Sequence, residues 1–494
     1  MMYRGRTVAV YVLLAIIGSV LLTVALVGPN GIYRDLFDAG AEPARLGDSR
    51  TQTRLGGMSS EDMHKLNVTY ELIDKRFMEE VDTEKLVDGA IQGMLSALED
   101  PYTSYMDPEE TGQFTQSVDA YFTGIGAEVS LENGNVVVVS PIKGSPAEKV
   151  GLRARDLILS VNGESLAGLS LTDAVNKIRG PKGTQAKLQV KREGFDNPIE
   201  LIVVRDEIDL ETVFSEMLEE GIGKIEIRQF SVHTVDSFNS QLEMLEREGL
   251  RGLIIDVRNN PGGYLEGVAQ ILYTLIPEGK LLLMTEDRGG NRESVVSQGP
   301  GRDYPITVLM NGGSASASEI LAAAVKQSSN GTLVGESTYG KGTIQSQFSD
   351  AYGDGSLLKL TIAKWLTPNG SWINETGVAP DVEVKQPDYF YVTLIARDQV
   401  LRKGDMSNDV RNMQVMLDGL GYKLDRTDGY FSEQTAEALK QFQEQVNIER
   451  TGDLNEATIE QLERRVIELL VKPENDLQLQ TALEVLRSKL QLRN

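Results

Sequence analysis

The sequence predicts a multidomain α+β chain: a mixed α/β core interrupted by a small β module, preceded by a helical region and followed by a three-helix module. Three observations carry this. Apolar residues recur at three- and four-residue spacing between 63 and 98 and again after 400. The pattern changes to short β runs between 121 and 204. From 205 to 385 apolar strands alternate with helical stretches. The 494 residues leave ample room for several domains.

Composition narrows the chemistry. Cysteine is absent and His64 and His233 are the only imidazoles. Thiol catalysis, disulfides and cysteine-based metal sites are therefore excluded, and a histidine-rich metal site is not expected. A net charge of −24 argues against a nucleic-acid partner, because the phosphate backbone demands a basic surface.

Residues 1–30 read as a short tip and an anchor. Residues 8–27, VAVYVLLAIIGSVLLTVALV, carry no charge and can cross a hydrocarbon core of roughly 30 Å as one helix. Arg4 and Arg6 precede the run, which places the amino terminus in the cytoplasm and the bulk of the chain outside a cell membrane crossed once. A cleaved signal peptide is the competing reading, but the run is long for one and no Ala-x-Ala site follows closely. Residues 31–58 are a polar linker. Residues 59–120 form a helical region, with stretches at 63–77 and 83–98. Their apolar stripes are expected to pack on a later domain, self-association into a homodimer being the alternative.

Residues 121–204 contain the strands GIGAEVSLE, GNVVVVSPI, DLILSVNGE and QAKLQVKRE, with a helix at 171–178. Together with GSPAEKVGLRARDLILSVNG, this unit resembles a PDZ domain of the bacterial protease type. The resemblance places Gly124, Ile125 and Gly126 at a loop whose amides accept a peptide carboxylate while the peptide adds to a sheet edge.

Residues 205–385 hold the chemistry. GLIIDVRNNPGG is a buried strand ending in a glycine-rich turn, and NGGSASASE lies between an apolar strand and an alanine-rich helix. A serine at such a turn sits beside unpaired helical N–H groups that can hold an oxyanion. Ser314 and Ser318 read as helix caps, which leaves Ser316 as the candidate nucleophile. Neither histidine lies in a segment patterned like a catalytic loop, so the base must be a lysine buried enough to be neutral. Lys341, bracketed by Gly340 and Gly342, supplies one. The run GESTYGK also meets half of a phosphate-binding loop, but Gly342 stands where Ser or Thr is needed for magnesium.

Residues 59–385 resemble the carboxyl-terminal processing proteases, Ser/Lys endopeptidases that include the tail-specific and photosystem-precursor enzymes. The resemblance rests on the blocks at 254–263, 313–319 and 335–345, in the family's order and with the PDZ domain before the core. It implies Ser316 as nucleophile, Lys341 as general base and Gln345 as the partner that orients the lysine. It also implies the backbone N–H groups of Gly262 and Ala317 as oxyanion donors. This serine–lysine chemistry implies neither a metal nor a cofactor. The fold is then a mixed α/β protease core with an inserted PDZ domain, acting on proteins or peptides with free C-termini. On a straight strand Lys341 and Gln345 would stand about 13 Å apart, so their contact requires a turn, bulge or twist. A catalytically inactive scaffold joining PDZ and wall-binding modules is the alternative, which loss of Ser316, Lys341 or Gly262 would favour; all three are present.

Residues 400–471 show three helical patterns, each opening beside a capping residue. Leu420–Gly421–Tyr422, Asp428–Gly429–Tyr430–Phe431, Phe442–Gln443 and Thr451–Gly452 resemble the peptidoglycan-binding module of cell-wall hydrolases. Peptidoglycan is thus an expected partner, and the whole arrangement is closest to the sporulation-type members of the family. The tail, 472–494, contains one more amphipathic helix with no assigned role.

Overall fold

The computed structural model describes residues 58–492 apart from 133, 193, 196, 350 and 398. The expected anchor at 8–27 lies outside the described residues. Among them no helix is long and apolar enough to cross a membrane. The chain divides into two compact parts, Met1–Thr83 and Glu84–Asn494.

The described portion of the first part is a helix, Ser60–Arg76. Ser59 caps it by accepting from Asp62 N–H, acidic residues fill its first turn, and Lys75 and Arg76 close the last, as the helix dipole favours. None of its residues is buried, and Leu66, Tyr70 and Leu72 are exposed. The Thr83–Ser96 helix of the second part has no buried residue either, with Val87 and Met94 exposed. Leu86, Ile91 and Leu95 of the latter are half-buried; helical spacing specifies an apolar face but not what covers it.

The second part is built on a six-stranded sheet. In spatial order its strands are Val213–Met217, Ile222–Ile227, Gly252–Asp256, Ile306–Met310, Thr332–Gly335 and Val382–Glu383. The first pair is antiparallel and the rest are parallel. The inner strands Gly252–Asp256 and Ile306–Met310 are buried at every position, as parallel strands covered on both faces must be. On one face lie the helices Thr234–Arg247, Leu265–Leu275 and Ala317–Ser329, which bury Phe238, Leu272 and Leu321 against Ile255, Val308 and Leu333.

The opposite face is covered by the tail helix, Leu477–Gln491, whose role the sequence left open. Leu479, Ala482, Leu483, Leu486 and Leu490 pack on Ile222, Ile254, Leu309 and Val334. Burying each leucine contributes about 1.5–3 kcal/mol, so the helix is a substantial part of the core's stability. A chain ending at Gln386 would leave this face of the sheet bare.

A second sheet is antiparallel throughout. Leu357–Leu366 pairs with Ser104–Met106, Leu281–Asp287 and Thr343–Phe348, as the alternating apolar pattern of its sequence suggests. The inserted β module has the strand order Ala127–Glu132, Asn135–Pro141, Leu157–Val161, Gln185–Lys191 and Ile199–Val204, which leaves Ala127–Glu132 at an edge. Its helix, Leu171–Ile178, is capped by Ser170 and buries Ala174 and Ile178. The chain enters through Tyr121–Gly124 and leaves through Asp206–Asp209, and these two strands pair with each other. The Arg179 guanidinium lies over the Phe122 ring of the entry strand, 5.2 Å from its centroid.

The three predicted helices of the 400–471 module are Asn408–Gly419, Glu433–Gln445 and Glu456–Leu470, capped by Ser407, Ser432 and Asn455. They close on a core of their own that includes Met413, Leu417, Phe431, Phe442 and Leu462.

Candidate active site

Ser316 stands between the strand Ile306–Met310 and the helix Ala317–Ser329 with φ 54° and ψ −112°. A non-glycine residue there is strained by about 1–3 kcal/mol, so the surrounding structure must hold it. The holding is visible on both sides. Ser314 Oγ donates to Val257 O at 2.7 Å, and Ser318 Oγ and Ala315 N donate to Asn260 O at 3.0 Å each. Ser314 and Ser318 are thus buried ties to the 257–262 loop, which corrects their reading as helix caps. The hydroxyls reach across the fold to a segment far off in sequence, which local spacing does not reveal.

Gly262 lies directly against this turn, with φ 106°. A Cβ there would come within 2.8 Å of Ser316 Cβ and 3.1 Å of Ala317 N, so only glycine fits. Ser316, Gly262 and Ala317 are therefore brought together as expected. The Gly262 N–H donates to Asn260 Oδ1 at 2.8 Å, and Asn260 Nδ2 in turn donates to Ile227 O at 2.7 Å. Asn260 is fully buried, and nothing in its sequence surroundings marks this role.

Glu319 joins the serine to the lysine. This fully buried carboxylate accepts from Ser316 N and Lys341 N through Oε2, at 2.8 Å each. The two backbone nitrogens are consequently no further apart than twice that length. Its Oε1 accepts from Gly340 N at 2.7 Å and from Thr338 Oγ1 at 2.6 Å. The Glu-three-after-Ser spacing is a capping-box signature, but its reach to residues 338–341 is legible only in three dimensions.

The glycines beside Lys341 have a packing cause. A Cβ on Gly340 would meet the Glu375 backbone at 2.9 Å, and one on Gly342 would meet Trp372 Nε1 at 2.7 Å. Trp365 Nε1 donates to Lys341 O at 2.7 Å, which fixes the lysine backbone from its other side. The Lys341 Nζ lies over the Tyr102 ring, 5.0 Å from the centroid. Burial holds this ammonium below the ordinary lysine range, and Lys359 pushes the same way while Glu319 and Asp100 partly oppose. The Tyr102 phenol is pushed up to about 12 by burial and then by Tyr339, so the ring beneath the amine stays neutral. After Lys341 the chain enters the strand Thr343–Phe348 and not a helix, which removes the phosphate-loop reading.

Gln345 sits where that strand's pairing shifts register, between Ile344 and Gln345, so the irregularity that strand geometry demanded is present. Its Nε2 donates to Thr343 Oγ1 at 3.0 Å and Thr361 Oγ1 at 3.1 Å; the lysine amine is not among its partners. His233 is exposed and faces Asp209 Oδ1 at 3.5 Å, and His64 lies on the exposed face of Ser60–Arg76. In the inserted module Gly124, Ile125 and Gly126 link the entry strand to the edge strand Ala127–Glu132. Ile125 is in the module's core, and Gly126 O accepts from Ile142 N at 2.9 Å and Ser145 Oγ at 2.8 Å.

This arrangement of turn, carboxylate tie and half-buried lysine is accompanied by four family matches. The description "Peptidase family S41" fits residues 221–384, "Activating protease CtpB N-terminal domain" fits 27–111, "PDZ domain" fits 137–192 and "Putative peptidoglycan binding domain" fits 406–462. The chain is 45% identical over 429 residues to the carboxy-terminal processing protease CtpB of Bacillus subtilis, covering 86% of this chain and 89% of that protein. To CtpA of the same organism it is 39% identical over 481 residues, covering 97% and 98%. A probable CtpA-like serine protease of Staphylococcus epidermidis is 33% identical over 410 residues, 82% of each chain. With these relatives matched along more than four-fifths of their length, the chain belongs to the carboxy-terminal processing proteases, serine-type endopeptidases of peptidase family S41, here with PDZ and peptidoglycan-binding domains.

Proposed function

We propose that Ser316 and Lys341 form the catalytic dyad, with Gln345 orienting the lysine and the N–H groups of Gly262 and Ala317 forming the oxyanion hole. The observation that carries this is the single carboxylate of Glu319, which accepts from the backbone N–H groups of both Ser316 and Lys341 while Gly262 lies against Ser316. Lys341 takes the Ser316 Oγ proton as Oγ attacks the substrate carbonyl, and the two amides hold the resulting oxyanion. The protonated lysine then gives its proton to the leaving amine, and a water deprotonated by the same lysine hydrolyses the ester. Three contacts change on the way: the Lys341 amine turns from Tyr102 towards Ser316, Gln345 comes to accept from that amine, and the Gly262 N–H passes from Asn260 to the substrate.

Only the neutral amine accepts a proton, so kcat/KM should rise with pH through the Lys341 ionisation, at a pH below that of an ordinary lysine. Lys359 is a positive neighbour that disfavours the protonated form of Lys341. Lys359→Met should therefore raise the Lys341 pKa and move the rising limb to higher pH. A limb unmoved by this change, or an alkaline limb absent altogether, contradicts the assignment of the base.

Substrates are selected by their C-terminal ends. The edge strand Ala127–Glu132 follows the 124–126 loop directly, so a peptide that adds to that edge brings its carboxylate to the loop. Peptides ending in Ala or Val should be cleaved faster as free acids than as amides, and equal kinetics for both would eliminate this reading. Residues 8–27 anchor the enzyme in the cell membrane with its catalytic part outside, where the three-helix module meets peptidoglycan. The exposed apolar residues of Ser60–Arg76 are a surface on which two chains form a homodimer.

A further inference from the structure

The peptidoglycan-binding module is an insertion closed at its base. Gln386 Nε2 donates to Asp476 Oδ1 at 2.6 Å, Leu477 N to Gln386 Oε1 at 3.1 Å, and Gln478 Nε2 to Val384 O at 2.8 Å. The chain thus leaves the core and returns to it at one point. That point touches Arg258, four residues before Gly262. All five N–H groups of its guanidinium are used. Nε and one NH2 hydrogen go to the two oxygens of Asp256, at 2.9 and 2.6 Å. The other NH2 hydrogen and one from NH1 go to the two oxygens of Asp476, at 2.8 and 2.9 Å, and the last goes to Gln478 Oε1 at 3.2 Å. The side chains of Arg258, Asp256 and Asp476 retain only 16%, 7% and 13% of their exposure, which separates this pair from the solvated ion pairs that contribute little.

We propose that Asp476, in the chain's tail, is a positioning residue that acts through Arg258 on the 257–262 loop and so on the oxyanion donor Gly262. Besides the ties from Ser314, Ala315 and Ser318, the loop is held at three further places. Asn260 ties it to the strand Ile222–Ile227 through Ile227 O, and Asn259 N donates to Asn311 Oδ1 of the serine turn at 2.9 Å. Arg258 ties it to the tail, and this is the one of the three that comes from outside the sheet strands and the serine turn. Asp256, the last residue of the strand that runs into the loop, fixes one edge of the guanidinium but stands only two residues from Arg258, so alone it leaves the direction of the loop beyond it open. Asp476 can fix that direction, because its own helix is seated on the far face of the sheet. A two-carboxylate clamp on a planar guanidinium fixes direction as well as distance, which is what an oxyanion donor placed a few residues on requires.

The proposal rests on Gly262 serving the oxyanion, and the test separates the two. In the full chain, Asp476→Asn keeps the helix cap but loses the charge and turns an NH2 group towards Arg258. It should lower kcat by on the order of tenfold to a hundredfold, as small misplacements of catalytic groups do, and leave KM unchanged. Affinity for a peptide boronate, whose tetrahedral adduct on Ser316 puts a negative oxygen in the hole, should fall by the same factor. Binding of the uncleaved peptide, measured in the Ser316→Ala background, should not change. Asp476→Glu, which keeps the charge, should lie between wild type and Asp476→Asn in kcat and boronate affinity, and carries the same readouts if the asparagine variant does not fold. Unaltered kcat in either folded variant overturns the proposal, as does an equal loss of boronate and ground-state affinity, which is general loosening. Boronate affinity unaffected by Asn260→Ala as well as by Asp476→Asn would instead count against Gly262 as a donor.

Discussion

Ser316→Ala and Lys341→Ala are each expected to lower kcat/KM on a cleavable peptide by on the order of 10⁴- to 10⁶-fold, with the double variant no worse than either. The non-additivity follows from the mechanism, since the nucleophile without its base and the base without its nucleophile are equally idle. The fold should survive both changes. The first helical N–H groups of Glu319 and Ile320 donate to the Ser316 backbone carbonyl, at 2.9 and 3.0 Å, and the Lys341 backbone is held by Glu319 and Trp365 whatever the side chain. Melting temperatures close to wild type should therefore accompany the loss of turnover. Turnover within tenfold of wild type in either variant removes the dyad.

Glu319→Ala should lose activity to a similar degree, and here stability should fall too. The change strips the acceptor from four donors at once, namely Gly340 N and Thr338 Oγ1, which are buried, and Ser316 N and Lys341 N, which are partly so. Each buried unsatisfied donor costs about 1–3 kcal/mol, so a loss of about 4–5 kcal/mol is expected even after partial relaxation. Glu319→Gln keeps the shape but places an NH2 group against donors, so it should melt between Glu319→Ala and wild type and still turn over on the order of a hundredfold more slowly. Denaturant unfolding followed alongside peptide hydrolysis reads both effects. A Glu319→Ala protein with wild-type stability would show that the carboxylate does not hold the two catalytic segments together.

What was legible in the sequence is what depends on local periodicity and on small residues at turns. The helix expected at 171–178 is Leu171–Ile178, because a strong apolar stripe and a serine cap define it within a few residues. The serine turn and the lysine between two glycines were found because tight packing excludes side chains there. Other features depend on partners far apart in the chain. The tail helix shows an amphipathic pattern, but the face it covers is formed by Ile222, Ile254, Leu309 and Val334 from four separate strands. Glu319 lies inside a block that the sequence reading singled out, yet its second pair of partners is about twenty positions on, at Thr338 and Gly340. Arg258 and Asp476 lie 218 positions apart, so no spacing rule joins them.

The central claim is that Ser316 becomes acylated during turnover. The most direct measurement is acid quenching of the full chain during cleavage of a peptide with a free C-terminus, followed by intact mass and mapping of the adduct. An ester of the peptide's amino-terminal fragment on Ser316, absent in Ser316→Ala along with all cleavage, is the predicted result. Continued cleavage by Ser316→Ala, or an adduct carried on another residue, would contradict it.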